Sequence, residues 1–446
     1  MSATSPLRAL ANSILASIDT IEAIYSKHGV PIPSLDEQFT LKATDSDPAL
    51  ADASRLIATA ATQLIATVRQ PMETLQDYTL GLYTTAALGF VVDANVPNIL
   101  KDAGAQGLHT KDIAAINGVD PVKLGRILRY LAARHVFKEV TANVYANNLI
   151  SSLLLKAETL DDIKANPASQ YGAAAFIGHV ADEGLKSSTA LSSFLRDSKG
   201  VNAPFNMALN EPGTVWEWYG KPENAVRNQR FTEAMKGGAF RYPSDIFTGA
   251  LDWAGLAPES VVVDIGANVG AVTLVLAKAF PNLRFIVQDL EKVVPDAQKF
   301  WEAMSPKDLA DGRVKMQIHD FFNPQPVKGA AVYFMRFVIH DWPDAESIKI
   351  LKRVRDAASP SSKLILFEFT VPHAFRAAPE ANDPHHALIL PAGIEWATSI
   401  DIQMLNLFNA QERTLDEFTA LGKGSGWKLE SYNAGQPLST LVFSVA

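Results

Sequence analysis

From about Ser244 onward, the chain alternates short apolar runs of strand length with stretches of helical periodicity, and few folds accommodate that alternation. Strands are expected at Val261–Ile265, Arg284–Gln288, Val314–Ile318, Ala331–Met335 and Lys363–Phe369, and again at Trp427–Tyr432 and Thr440–Val445. Helices are expected between them, near Gly270–Phe280, Lys292–Met304, Ala345–Ala358, Ser399–Phe408 and Leu415–Leu421. This order predicts an α/β fold with a doubly wound, parallel sheet. Such sheets bind ligands beyond the carboxyl ends of their strands, so the loops there are the first place to look for chemistry.

The preceding residues read as mainly helical. Apolar residues recur at helical spacing at Leu10, Ile14, Ile18 and Ile21, and later at Leu56, Ile57, Leu64 and Ile65, with a polar, Pro-containing break from Gly29 to Pro48. Two helices and a loop follow from that. Further on, Thr110 is expected to cap a short helix ending at Gly118, and Asp120-Pro121 supplies a cap and a first-position proline for a second. Leu124, Ile127, Leu128 and Leu131 give that second helix an apolar stripe, and Phe137 to Tyr145 reads as a hairpin. Helix, turn, helix and hairpin together predict a winged helix.

Lys123, Arg126 and Arg129 lie on its polar side, which raises DNA binding. With 446 residues and a net charge of −8, the chain favours a solvated face on a dimerisation module instead. The expected division is a helical extension over 1–94, a winged-helix and substrate-pocket region over 95–243, and a catalytic domain over 244–446.

Composition excludes several chemistries. The sequence has no cysteine, which removes disulfides, thiolate metal sites, iron–sulfur clusters and a cysteine nucleophile. No run approaches the roughly 18 apolar residues of a membrane span, and the first twenty residues lack a basic cap followed by a dense apolar core. A soluble, cytoplasmic protein with no membrane or nucleic-acid partner is expected.

The segment VVVDIGANVGAVTLVLAKAF combines a strand, a turn with Gly266 and Gly270, and a helix whose free amides face the turn. Asn268 stands where the dinucleotide fingerprint has glycine, which disfavours a pyrophosphate. Asp289 ends the next strand about twenty residues after Gly270, where a carboxylate can accept two ribose hydroxyls. An adenosine-like ligand is therefore expected, with Asp320 and the apolar Phe321 at the end of the third strand as further contacts. Asp383, His385 and His386 suggest a metal, but adjacent histidines diverge and no spaced third ligand follows, so no metal site is expected and the stretch reads as loop.

The most specific segment is YFMRFVIHDWPD, a strand running into His340-Asp341-Trp342. With it, the sequence resembles the S-adenosylmethionine-dependent O-methyltransferases of the caffeic-acid type, particularly their long fungal relatives. GVDPVKLGRILRYLAARHVF matches the family's winged-helix stretch, and APFNMAL and EWYGKPENAVRNQRFTEAM match its pocket segments. VVDIGANVG matches the cofactor turn, with Ala267 and Asn268 departing from the usual three glycines. RFVIHDW, LILFEFTVP and DIQMLNLFNAQERT then match the catalytic region in order.

The resemblance implies S-adenosylmethionine as cofactor, S-adenosylhomocysteine as product and a homodimer. It implies that Gly266 and Asp289 hold the cofactor's backbone and ribose, Asp320, Phe321 and Trp342 its adenine, and Arg336 a carboxylate or backbone contact. It assigns His340 as the base, flanked by Glu368 and Glu412. Other roles remain open: Glu412 can cap the helix begun by Thr414 and Leu415, Asp341 can cap the helix after Pro343, and Trp216, Trp218 and Phe231 can be pocket or core.

The expected activity is methylation of a hydroxyl, read as phenolic, on a small aromatic acceptor. One alternative is the same fold used for S-adenosylmethionine-dependent pericyclic or dehydration chemistry. Another is a winged-helix DNA-binding regulator.

Overall fold

The computed structural model describes residues 5–156, 172–199, 202–239, 243–375, 390–391, 393–435 and 438–446. Asp383, His385 and His386 lie outside the described residues. The chain forms two units, Met1–Gly238 with Phe375–Ala392, and Ala239–Ala374 with Gly393–Ala446.

In the first unit, the helix Pro6–His28 is capped by Ser5, whose hydroxyl accepts from the Arg8 amide, and it ends at Gly29 in a left-handed conformation. Asp47 caps the helix Pro48–Val68 by accepting from the Ala49 and Leu50 amides. Leu10 and Ala60 are buried between the two helices with Ile14, Leu56 and Leu64 packed around them. Helices Pro71–Leu80 and Leu82–Asp93 follow.

Next come the helices Thr110–Asn117 and Pro121–Ala132, and a three-stranded antiparallel sheet of β1 (Leu108–His109), β2 (Lys138–Thr141) and β3 (Val144–Ala146), in the order β1-β3-β2. Asp120 caps the second helix by accepting from the Val122 and Lys123 amides, and Leu124, Leu128 and Leu131 are buried on its inner stripe. Lys123, Arg126 and Arg129 are exposed. The cap of the first helix differs from expectation. His109 fills it, its Nδ1 accepting from the Lys111 amide, while the Thr110 amide donates to the Asn143 carbonyl. The cap therefore lies one residue earlier than expected, at the end of β1, and the helix starts on Thr110 itself.

The second unit is built on a seven-stranded sheet. Its strands are β4 (Val261–Ile265), β5 (Arg284–Asp289), β6 (Val314–Ile318), β7 (Val332–Arg336), β8 (Lys363–Glu368), β9 (Trp427–Asn433) and β10 (Ser439–Val445). They lie in the order β6-β5-β4-β7-β8-β10-β9, with the first five parallel and β10 antiparallel to both neighbours. Helices pack on both faces. Val262, Phe285, Phe334 and Phe367 belong to one core cluster, and Val263, Tyr333, Leu364 and Leu441 to the other. The near-continuous apolar character of β4, β7 and β8 follows from this double burial.

From β4 the chain builds outward through β5 to β6, then returns to place β7 on the other side of β4. The crevice beyond the carboxyl ends of β4 and β7 is thus the switch point where doubly wound sheets take ligands.

Candidate active site

Three backbone positions in the β4 turn are left-handed: Gly266 (φ +68°), Asn268 (φ +52°) and Gly270 (φ +75°). A Cβ at Gly266 would lie 2.8 Å from Val338, and one at Gly270 2.9 Å from the Trp301 indole nitrogen. Glycine is required at both by conformation and by space. Asn268 fills the middle position because asparagine tolerates the left-handed region better than other side chains. The departure from three glycines therefore preserves the turn.

Asp289, at the end of β5, is tied to this turn. Its Oδ2 accepts from the Asn268 amide at 2.7 Å and its Oδ1 from the Leu290 amide at 2.7 Å. Burial raises its pKa, and the two amides oppose the shift. A carboxylate has about four acceptor positions, so two remain for hydroxyl donors.

Asp320 is exposed, and its carboxylate accepts from the Phe322 amide at 2.9 Å. Phe321, Phe322 and Trp342 form an aromatic group, with Trp342 edge-on to Phe322 at 4.7 Å and to Phe321 at 5.9 Å. Phe321 also lies 3.6 Å from the position a Cβ would take at Gly266. Turn, carboxylate and aromatic surface are contiguous, and this donor set fits an adenosyl group: amides and a carboxylate for the ribose, rings for the base.

Sequence reasoning missed three residues here. Asp264 is buried in β4 and accepts from the Thr273 hydroxyl at 2.6 Å; burial pushes its carboxyl up to about 7. Its signal was the single acid within an apolar strand. Phe322 was the second aromatic of a visible pair. Phe337 had no signal, because its left-handed backbone (φ +53°) is invisible in sequence.

His340 sits in a short turn, Ile339–Asp341, after β7. Its Nδ1 is 2.7 Å from Glu412 Oε1, and its Nε2 is 3.5 Å from Asp341 Oδ1. Glu368 ends β8, where its Oε1 accepts from the Val338 and Ile339 amides at 3.1 and 2.9 Å. Glu368 thus holds the backbone that carries His340. Burial works against a charged imidazole, but Glu412, Asp341 and Glu368 outweigh it and push His340 up to about 10. Burial pushes Glu368 up to about 7 and Asp341 up to about 6.

The sequence's alternative uses for Glu412 and Asp341 do not occur. Thr414 caps the helix Leu415–Ser425 in a capping box with Glu417, which leaves Glu412 to His340. The helix Asp344–Arg355 has no side-chain cap, and the Asp341 carboxylate lies beside the imidazole. Arg413, fully buried, donates to the carbonyls of Ile339 and Trp342 and pairs with Asp344. The Glu412 amide is held by Asp401 at 2.9 Å.

The ligand atoms of His340, Glu368 and Glu412 lie within 4.8 Å of one another. Glu412 accepts from the imidazole and Glu368 from two amides, which is hydrogen-bonding work, and we do not read the three as metal ligands. Arg336, at the end of β7, has its guanidinium over the Phe337 ring at 5.1 Å. Trp216, Trp218 and Phe231 lie in the first unit. Trp218 is buried against Phe205 and Tyr219, while Trp216 and Phe231 are half-buried and in contact.

Two family descriptions match the chain. The family description of an O-methyltransferase domain matches residues 196–428, and that of an O-methyltransferase dimerisation domain matches residues 76–157. An O-methyltransferase of Armillaria gallica is 35% identical, with 96% of this chain and 95% of that protein covered. The 4-O-methyltransferase 1 of Phanerochaete chrysosporium is 33% identical, with 95% of each covered. Among solved structures, mitomycin 7-O-methyltransferase MmcR superposes with a TM-score of 0.66 at 24% identity, covering 84% of this chain and 98% of that one. A pericyclic reaction enzyme superposes with a TM-score of 0.69 at 21% identity, covering 91% and 96%. These two structural likenesses speak to the fold alone.

Proposed function

The chain belongs to the S-adenosylmethionine-dependent O-methyltransferase family, and from that membership we propose that it methylates a phenolic hydroxyl of a small aromatic acceptor with His340 as general base. The observation that carries this reading is the 2.7 Å contact of His340 Nδ1 with buried Glu412, at the carboxyl end of β7. That contact fixes the ring through Nδ1 and leaves Nε2 as the nitrogen for the acceptor's proton, as a carboxylate orients histidine in hydrolase triads. S-adenosylmethionine supplies the electrophilic methyl group.

In this reading Asp289 holds the ribose, Gly266 gives close backbone approach, Asp320, Phe321 and Trp342 surround the adenine, and Arg336 meets a carboxylate or backbone. Methyl transfer needs in-line attack near 3 Å, so positioning and exclusion of water are the main contributions. A neutral phenol, pKa about 10, is a poor nucleophile, and His340 takes its proton as the C–O bond forms. In the ligand-free chain His340 holds its own proton at neutral pH. Its pKa falls when a cation binds close by, because at an effective dielectric of about 20 two unit charges several ångströms apart repel by roughly 2–3 kcal/mol, about one and a half to two pKa units.

The same raised pKa favours a second reading, in which a protonated His340 donates a hydrogen bond in pericyclic or dehydration chemistry without methyl transfer. Mass spectrometry of a panel of phenols incubated with the protein and S-adenosylmethionine decides between them. A product heavier by one methylene, with S-adenosylhomocysteine formed in equal amount, supports methylation; turnover of a substrate without cofactor consumption supports the other.

The proposal includes a homodimer, without nucleic acid as partner, and the domain division at residues 94 and 243. Helix Pro71–Leu80 has no buried residue, and Met72, Leu75, Tyr78, Leu80, Leu82 and Tyr83 are exposed at the start of the dimerisation-domain match. So much adjacent apolar surface suits coverage by a second copy. Light scattering that gives a monomer near 48 kDa at every accessible concentration removes this part of the reading. No described helix is long and apolar enough to cross a membrane.

A further inference from the structure

The cluster around His340 leaves two oxygens unaccounted for. Glu368 Oε1 accepts from two amides and Glu412 Oε1 faces His340 Nδ1, but Glu368 Oε2 and Glu412 Oε2 are buried without a hydrogen-bond partner among the described residues. A buried carboxylate oxygen that meets no donor is costly. Two ionised carboxylates converging on one enclosed site also repel.

Among the described residues, the surrounding charges do not relieve this. On the turn after β7, His340 is the single cation and Asp341 adds an anion. Asp401, on the helix Ile394–Phe408, faces the Glu412 amide. Arg413 is committed to Asp344 and to the carbonyls of Ile339 and Trp342, and Arg336 lies over Phe337. Counted as ionised, one imidazolium and the carboxylates of Asp341, Glu368 and Glu412 carry two negative charges in excess.

We propose that Glu368 and Glu412 share a proton across these two unpartnered oxygens, with Glu368 as a carboxylic acid whose O–H donates to Glu412 Oε2. One proton then satisfies both oxygens and removes one negative charge. It resides on Glu368 because Glu412 faces the imidazole cation, whereas Glu368 Oε1 faces only neutral amides, and burial already pushes this carboxyl up to about 7. Glu368 is then a positioning residue: it fixes Glu412, which fixes His340. With fewer anions beside it, His340 gives up its proton more readily. The bearing on catalysis rests on the methyl-transfer reading, but the proton itself belongs to the ligand-free chain and is tested there.

The test is infrared difference spectroscopy of the ligand-free protein at about pH 6, where a carboxyl titrating near neutrality is largely protonated. Wild type minus Glu368→Gln is expected to contain the C=O stretch of one protonated carboxyl, fading by about pH 9. The glutamine is isosteric, and its amide nitrogen donates to Glu412 where the acid did. Glu368→Asp, with an acid on a shorter arm, is expected to shift the band rather than remove it, and it provides the measurement if the glutamine variant does not fold. A difference spectrum with ionised-carboxylate bands alone, or a protonated-carboxyl band unmoved by either substitution, overturns the proposal. Loss of methyl transfer with the band present would count against the functional reading and leave the shared proton standing.

Discussion

The ring of Phe337 lies against that of His340, with centroids 5.3 Å apart and planes inclined by 30°, while the Phe337 backbone is held left-handed. A bulky side chain in that region costs about 1–3 kcal/mol, so its surroundings must hold it. The Phe337 amide donates to the Phe367 carbonyl, and Glu368 takes the next two amides. Replacing Phe337 by Leu removes the flat wall beside the imidazole and leaves the adenosyl-facing residues in place. We expect kcat to fall about tenfold with S-adenosylhomocysteine affinity unchanged, as steady-state kinetics and calorimetry would read.

His340→Gln tests the base directly. Turnover of a non-acidic phenol is expected to fall by about 10²–10⁴-fold, and the deficit to shrink for acceptors already ionised at assay pH. Cofactor affinity should change little. More than about a tenth of wild-type transfer retained would end the assignment of His340 as base.

The imidazole also sets a pH dependence of stability. Its folded pKa, about 10, lies above the ordinary histidine value of about 6.5, so its contribution is fully present below about 6.5 and is lost as pH rises through 10. Thermal melts are expected to show a decline in Tm between about pH 6.5 and pH 10 that is smaller in His340→Gln. Equal slopes in the two proteins would contradict this.

Asp264 has a consequence of the same sign at lower pH. Burial raises its carboxyl from 3.8 to about 7, so the folded chain binds a proton more tightly than the unfolded one, and stability falls as pH rises through that window. Asp264→Asn keeps an acceptor for Thr273 and removes the titration. Its Tm should match wild type near pH 4 and exceed it near pH 8, by an amount corresponding to a few kcal/mol at most.

Asp289→Ala should weaken S-adenosylhomocysteine binding by about 10²–10⁴-fold, since it removes hydrogen bonds to two ribose hydroxyls, each worth roughly 1.5–3 kcal/mol to a charged group. The loss also frees the Asn268 amide. Calorimetry that finds undiminished affinity would remove Asp289 from the ribose site.

The strands of the catalytic unit were legible because burial on both faces makes their apolar runs nearly continuous, and their observed ends differ from the expected ones by a residue or so. The position of β10 between β8 and β9 was not, because strand pairing leaves no mark in periodicity. Helix ends moved where the chain itself set the stop: the helix at 394 starts just after left-handed Gly393, well before Ser399, and the last helix runs on to left-handed Gly426. The pairing of His340 with Glu412 spans 72 residues and came from motif resemblance, not from local pattern. Arg413 carries no local sequence signal; its burial is set by the carbonyls of Ile339 and Trp342, 74 and 71 positions away.

Those carbonyls bear on how the enzyme can change over evolution. Arg413 grips the histidine turn through the main chain of Ile339 and Trp342, and Glu368 grips it through the amides of Val338 and Ile339. Main-chain groups are the same whatever side chain they carry. Substitutions at 338, 339 and 342 that the local packing accommodates can therefore change the side chains around the histidine turn while the grip on His340 persists, so the reaction centre is insulated from drift in its own flanking sequence.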